Sequence, residues 1–122
     1  MRLLLIESST DFCRVLENVL ARGEFRVQSF PSPSQGWPAY QSSPPDLILI
    51  ELPADVAPVE DFLNKLRAHP AGSRVPVVLM SDVHHKDSKT VDRITRDHHV
   101  EEFLPRPFEM FGIARRLRSL GQ

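Results

Sequence analysis

Polar residues stand directly after four apolar runs. Glu7 follows LLLI, Glu51 follows LILI, Ser81 and Asp82 follow VVLM, and Arg106 closes FLPR. A charge at the tip of a buried strand is costly unless something pairs with it. Carboxylates, a hydroxyl and a guanidinium brought to one edge would pair through charge-assisted hydrogen bonds, with Glu51 and Arg106 expected to form a bidentate pair.

The spacing predicts the elements that must carry these groups. Leu3–Ile6 reads as a first strand. Ser9 or Thr10 can cap a helix with Phe12, Val15, Leu16, Val19 and Leu20 on its apolar side, and Gly23 stands where a stop belongs. Phe25–Phe30 alternates like a half-buried strand near a sheet edge. In PSPSQGWPAYQSSPP, Pro38 would remove a helical hydrogen bond, so any helix there should be short or distorted. Asp46–Glu51 is an unbroken apolar strand. Val59, Phe62, Leu63 and Leu66 mark a helix ending near His69, and VPVVLMSD is a second unbroken strand. Residues 84–99, with Val91 and Ile94 as anchors, predict a mostly exposed helix. Val100–Leu104 predicts the last strand, and Pro107 suits the start of a helix carrying Phe108, Phe111, Ala114, Leu117 and Leu120. Alternating strands and helices with unbroken apolar strands argue a parallel sheet covered on both faces. In such sheets functional groups gather at the carboxyl ends of the strands. Glu7, Glu51, Ser81 and Arg106 are therefore expected to converge.

The bulk properties narrow the function classes. A chain of 122 residues, 41% apolar and 25% charged, fits one globular domain over residues 1–122. Its net charge of −1 gives no footprint for nucleic acid or an anionic membrane. No apolar stretch approaches the roughly 20 residues of a membrane span. The run in MRLLLIESS is shorter than the roughly 7–15 residues of a signal-peptide core, and a cytoplasmic protein is expected. The single cysteine, Cys13, excludes an internal disulfide and is expected to be packed rather than reactive. His84-His85 and His98-His99 lack the i, i+4 spacing of helical zinc sites and are expected to be solvated, with no metal. Arg115, Arg116 and Arg118 read as a solvated face, as do Asp11 and Glu17, while Trp37 is favoured as a lid on the sheet over an anchor for a partner. No glycine-rich phosphate loop or nucleophile elbow is present, so no motif supports an enzyme.

Over essentially its whole length the chain resembles the receiver domains of bacterial two-component response regulators. LLLIES places Glu7 and Ser8 at the family's acidic pair, and PDLILIE places Glu51 at its phosphorylated aspartate. PVVLMSD places Ser81 at the conserved hydroxyl and Asp82 where a small residue is usual; FLPRPF places Phe103 at the switch aromatic and Arg106 at the lysine. The resemblance implies a flavodoxin-like doubly wound (βα)5 fold with strand order 2-1-3-4-5. It also implies Mg²⁺-dependent phosphorylation by a histidine kinase, and a protein partner or homodimer contact on the face of helix four, strand five and helix five.

The departures point to a degenerate receiver. Mg²⁺ demands near-octahedral oxygen ligands at about 2.0–2.1 Å, and Ser8 replaces the carboxylate that would ligate it directly. Glu51 is one methylene longer than aspartate, at a kind of site where a misplacement of about an ångström can cost about 10²-fold. Asp82 would repel a phosphoryl dianion, and Arg106 is a planar fork rather than a point charge. Phe103 has no hydroxyl to hydrogen-bond, which suits a fixed state. The expectation is a phosphorylation-independent protein-interaction module without cofactor. The alternative is an active receiver that takes a phosphoryl group on Glu51 with Mg²⁺ held by Glu7 and Asp82. A small-ligand binder at the same edge is a third class, resting on fold alone.

Overall fold

The computed structural model describes residues 1–82 and 88–121. Strands β1 (Arg2–Ile6), β2 (Arg26–Phe30), β3 (Leu47–Glu51), β4 (Val77–Asp82) and β5 (Glu102–Arg106) form one parallel sheet in the order β2-β1-β3-β4-β5. Helices α1 (Thr10–Arg22), α2 (Pro33–Ser42), α3 (Ala57–Ala68), α4 (Ser88–Asp97) and α5 (Ile113–Gly121) follow the strands in turn. The flavodoxin-like, doubly wound topology expected from the sequence is the one observed.

The unbroken apolar runs are buried because each strand has helices on both sides. Leu4, Ile6, Ile48, Ile50, Val77 and Leu79 pack under α2, α3 and α4. Leu3, Leu5, Leu47, Leu49, Val78, Met80 and Leu104 pack under α1 and α5. Strand side chains alternate between faces with period two, and this alternation later decides which strand-end groups meet.

Ser9 caps α1 by accepting a hydrogen bond from the Phe12 N–H, and Cys13, Leu16 and Leu20 face the core. Val15 does not: it is 52% exposed, because its position one residue before Leu16 turns it off the buried stripe. Helix α2 runs unbroken for ten residues through Pro38, against the expectation of a short or distorted helix. Pro33 starts it and Ser32 caps it, while Ser34, whose carbonyl Pro38 cannot serve, is exposed to water. Trp37 packs on Tyr40 and edge-on to Phe62, at 5.1 and 5.6 Å between centroids, in keeping with the lid.

The last third of the chain departs most from expectation. Strand β5 begins at Glu102 rather than Val100, because His98–Val100 close α4: His99 has φ +54° and the Val100 N–H donates to the Thr95 carbonyl. The strand runs through Pro105, as an edge strand can. Helix α5 begins at Ile113, not Pro107. Gly112 has φ +85°, a conformation glycine adopts freely, and the chain before it stays irregular. Phe111 consequently stands 91% exposed, and Ile113 takes the core position. The terminal arginines are not all solvated: Arg118 donates to the Gly23 carbonyl and Arg116 pairs with Glu102.

One guanidinium closes the amino-terminal end of β4 and β5. Arg67 donates to the carbonyls of His98 (3.0 Å), Gly72 (3.0 Å), Val75 (2.7 Å) and His99 (3.0 Å). Nearby, Gly72 is confined by neighbours: an added Cβ would collide with the Leu66 carbonyl oxygen and the Tyr40 hydroxyl.

Candidate functional site

Period-two alternation puts four charged groups on the α1–α5 face at the carboxyl end of the sheet. Glu7 continues the Leu3–Leu5 series, Glu51 the Leu47–Leu49 series, Asp82 the Val78–Met80 series, and Arg106 follows Leu104 by two. Asp82 and Arg106 are direct register partners on β4 and β5. Ser81 is out of phase. It lies on the opposite face, buried, and its hydroxyl donates to the Leu52 carbonyl at 3.0 Å. Phe103, one rung away, also belongs to that face and packs half-buried against the α2–α3–α4 core. The expected convergence of Glu7, Glu51, Ser81 and Arg106 is thus corrected. Asp82 completes the group, and Ser81 is outside it.

The Arg106 guanidinium lies at the centre. Its Nη1 donates to Glu7 Oε2 at 2.9 Å, its Nη2 donates to Glu51 Oε2 at 3.2 Å, and its Nε is 3.3 Å from Asp82 Oδ1. The bidentate Glu51–Arg106 pair expected from the sequence does not form, because the fork divides between strands β1 and β3 and its third nitrogen faces β4. Phe12 supports the fork from one side, with the guanidinium carbon 4.9 Å from its ring centre, and Phe108 meets Phe12 edge-on. Ser8 turns toward Glu51 as well: its N–H and its hydroxyl donate to Glu51 Oε1 at 3.1 and 2.9 Å. Phe12 is a contributor that the sequence disguises as an ordinary helix-face residue.

Glu7 is only 2% exposed. Burial, and then the Glu51 charge, push its carboxyl above the ordinary range; the Ser9 N–H, donating at 3.2 Å, and Arg106 pull back incompletely. Burial works against the Arg106 charge, but Glu7, Asp82 and Glu51 outweigh it and hold the pKa above the ordinary value. Cys13, buried beneath with its thiol 3.5 Å from the Glu7 carbonyl, is raised to about 11 by desolvation and then by the nearby carboxylates, so it stays a packed thiol.

The donor set does not fit a divalent ion. The carboxylate oxygens of Glu7 and Glu51 that face the middle of the site are bonded to guanidinium nitrogens, and a hydroxyl stands at Ser8. A hard dication needs several open oxygens around one point, and here Arg106 fills that point with its own charge. What the arrangement does chemically is bridge: one cation ties three strand ends together and offsets part of their negative charge. Of the histidines, His84 and His85 lie outside the described residues. His98 is buried at 7% exposure rather than solvated, because its Nε2 meets Glu60 Oε1 at 3.0 Å across the α3–α4 interface, whereas His99 is exposed.

No protein-family model and no curated protein sequence matches this chain. Solved structures do. A chemotaxis protein of Vibrio cholerae superposes with a TM-score of 0.85 at 13% identity, over 98% of this chain and 97% of that one. The receiver domain of a sensor histidine kinase from Pseudomonas aeruginosa, with a magnesium ion coordinated in its active-site cleft, gives 0.82 at 20% identity over 98% and 96%. An orphan response regulator of H. pylori gives 0.82 at 16% identity over 100% and 97%. At such identities a likeness speaks for architecture, and the architecture is shared along the whole chain. The chain has the fold of response-regulator receiver domains.

Proposed function

We propose that this chain is a degenerate receiver domain of a two-component or related signalling system, acting by protein–protein contact without phosphoryl transfer, metal or cofactor, and not as an enzyme. One observation carries the reading: the Arg106 guanidinium is shared among Glu7, Glu51 and Asp82, where the family resemblance implies an Mg²⁺ ion and an open aspartate. The Ser8 hydroxyl bonded to Glu51 and the Ser81 hydroxyl committed to the Leu52 carbonyl support it, since neither is left pointing at an incoming group. The site is held in one state by internal charge. The partner face in this reading is α4–β5–α5, occupied by another protein or by a second copy as a homodimer, in the cytoplasm. Among the described residues no helix is long and apolar enough to cross a membrane.

Intact mass after incubation with Mg²⁺ and a small-molecule phosphodonor tests this. The wild-type chain should gain no phosphoryl adduct, whereas S8D/E51D/R106K, which restores both carboxylate positions and the lysine, should gain one. An adduct on Glu51 of the wild type would replace this reading with that of an active receiver using unusual ligands.

A further inference from the structure

The other end of the sheet carries a cluster that the strand-end site does not use. Arg2 and Arg26 are register partners on the parallel strands β1 and β2, so their side chains leave the same face about 4.8 Å apart at the backbone. That face is the one covered by α2, because Leu4, two residues after Arg2, packs there. Like charges placed directly opposite on neighbouring strands repel. Neither guanidinium has an ion pair or hydrogen bond among the described residues; Asp46, just before β3, accepts from the Arg2 backbone N–H instead.

The two arginines line a cavity of about 350 Å³ between the β1–β2 edge and the end of α2, together with Gln28, Ser43, Ala39 and Tyr40. The Gln28 amide and the Ser43 hydroxyl are likewise without a side-chain partner among the described residues. Tyr40 is fully buried behind the cavity with its hydroxyl turned toward Gly72, and the half-buried Ala39 and Pro45 supply the apolar wall. Two unpaired planar forks, two neutral hydrogen-bonding groups and an apolar wall thus share one concavity, whose size is at the lower end of the roughly 300–1,000 Å³ typical of ligand pockets.

We propose that this cavity binds a small phosphate monoester. The phosphoryl dianion sits between Arg2 and Arg26 and relieves their repulsion. Guanidinium forks match phosphate oxygens bidentately, which lysine heads would not. Gln28 and Ser43 hydrogen-bond the ester body, which rests on Ala39 and Pro45. The site stands at the amino ends of β1 and β2, opposite the edge that holds Arg106, and is independent of the proposed function.

Backbone amide shifts during titration with phenyl phosphate and with inorganic phosphate, against chloride at matched ionic strength, test the proposal. Saturable shifts are expected at Arg2, Arg26, Gln28 and Ser43, with phenyl phosphate binding more tightly than inorganic phosphate. R2Q/R26Q should weaken binding at least tenfold, and R115Q, in the basic stretch of α5, should leave it intact. R26Q alone, at an exposed edge-strand position, should give an intermediate loss and decides the matter if the double variant does not fold. Shifts indistinguishable from those in chloride, shifts centred on α5, or undiminished binding by the folded variants would overturn it.

Discussion

Two of the arginine–carboxylate groupings among the described residues treat their carboxylates in opposite ways. At the strand ends, Arg106 is divided among Glu7, Glu51 and Asp82. Between α3 and α4, Arg93 gives both terminal nitrogens to the one carboxylate of Glu60, at 2.8 and 3.0 Å, and His98 adds a third contact. Hydrogen bonding from Arg93 comes first in holding the Glu60 carboxyl down at about 2, and it outweighs the cost of desolvation. Glu7, more deeply buried and sharing its cation with neighbours of its own sign, is pushed up instead. An arginine beside a carboxylate does not by itself set its pKa: how deeply the carboxylate is buried comes first, and the charges of its own sign nearby come next.

Removing the shared cation should break the first cluster most severely. R106M leaves Glu7 buried with uncompensated charge and should cost about 3–5 kcal/mol in urea unfolding at pH 7. Adding E7Q and E51Q to R106M should recover most of that loss; no recovery would mean the side chain acts chiefly through its packing on Phe12. The next largest effect is expected from E60Q, and it is a matter of pH. A carboxyl held below its ordinary value of 4.5 contributes stability that is present above that pH and lost as pH falls from 4.5 toward about 2. The deficit of E60Q against wild type should therefore shrink across that window and vanish at its foot.

Glu7 should show the reverse slope. A carboxyl raised above 4.5 is no burden below that pH and becomes one as pH rises through its folded-state value. E7Q should match the wild type in acid and gain on it toward neutrality; a parallel course for E7Q and E60Q would erase the contrast between the clusters. The smallest change belongs to S8A. It removes one of two donors from Glu51 Oε1 while the backbone N–H remains, and about 1 kcal/mol is expected from the urea midpoint.

The strands and most helices were legible in the sequence because burial on both faces demands unbroken apolar runs, and LLLI, LILI and VVLM supply them. The start of α5 was not legible. Phe108 and Phe111 keep helical spacing with Leu117, and only the backbone at Gly112 shows that the helix begins later. At the site, Glu7, Glu51 and Arg106 could be placed from their positions after the strands. Ser81 was misplaced by the same reasoning, although counting by twos from Met80 selects Asp82. Proximity in sequence made the hydroxyl look like a member, and the pleat assigns it to the other face. His98 looked solvated because its partner, Glu60, is 38 residues away and belongs to a different helix. Such pairings are settled by how helices pack, which no local pattern records.

Arg67 carries a consequence for inheritance rather than for chemistry. Its one head group donates to four carbonyls on two separate stretches of chain. A lysine offers three donors from a single point, so the substitution usually counted as mildest must abandon at least one of those acceptors to water. A rim that a run of backbone pairs could hold is here entrusted to one codon. Among descendants of this sequence, that codon should tolerate less drift than its half-buried position on α3 would suggest.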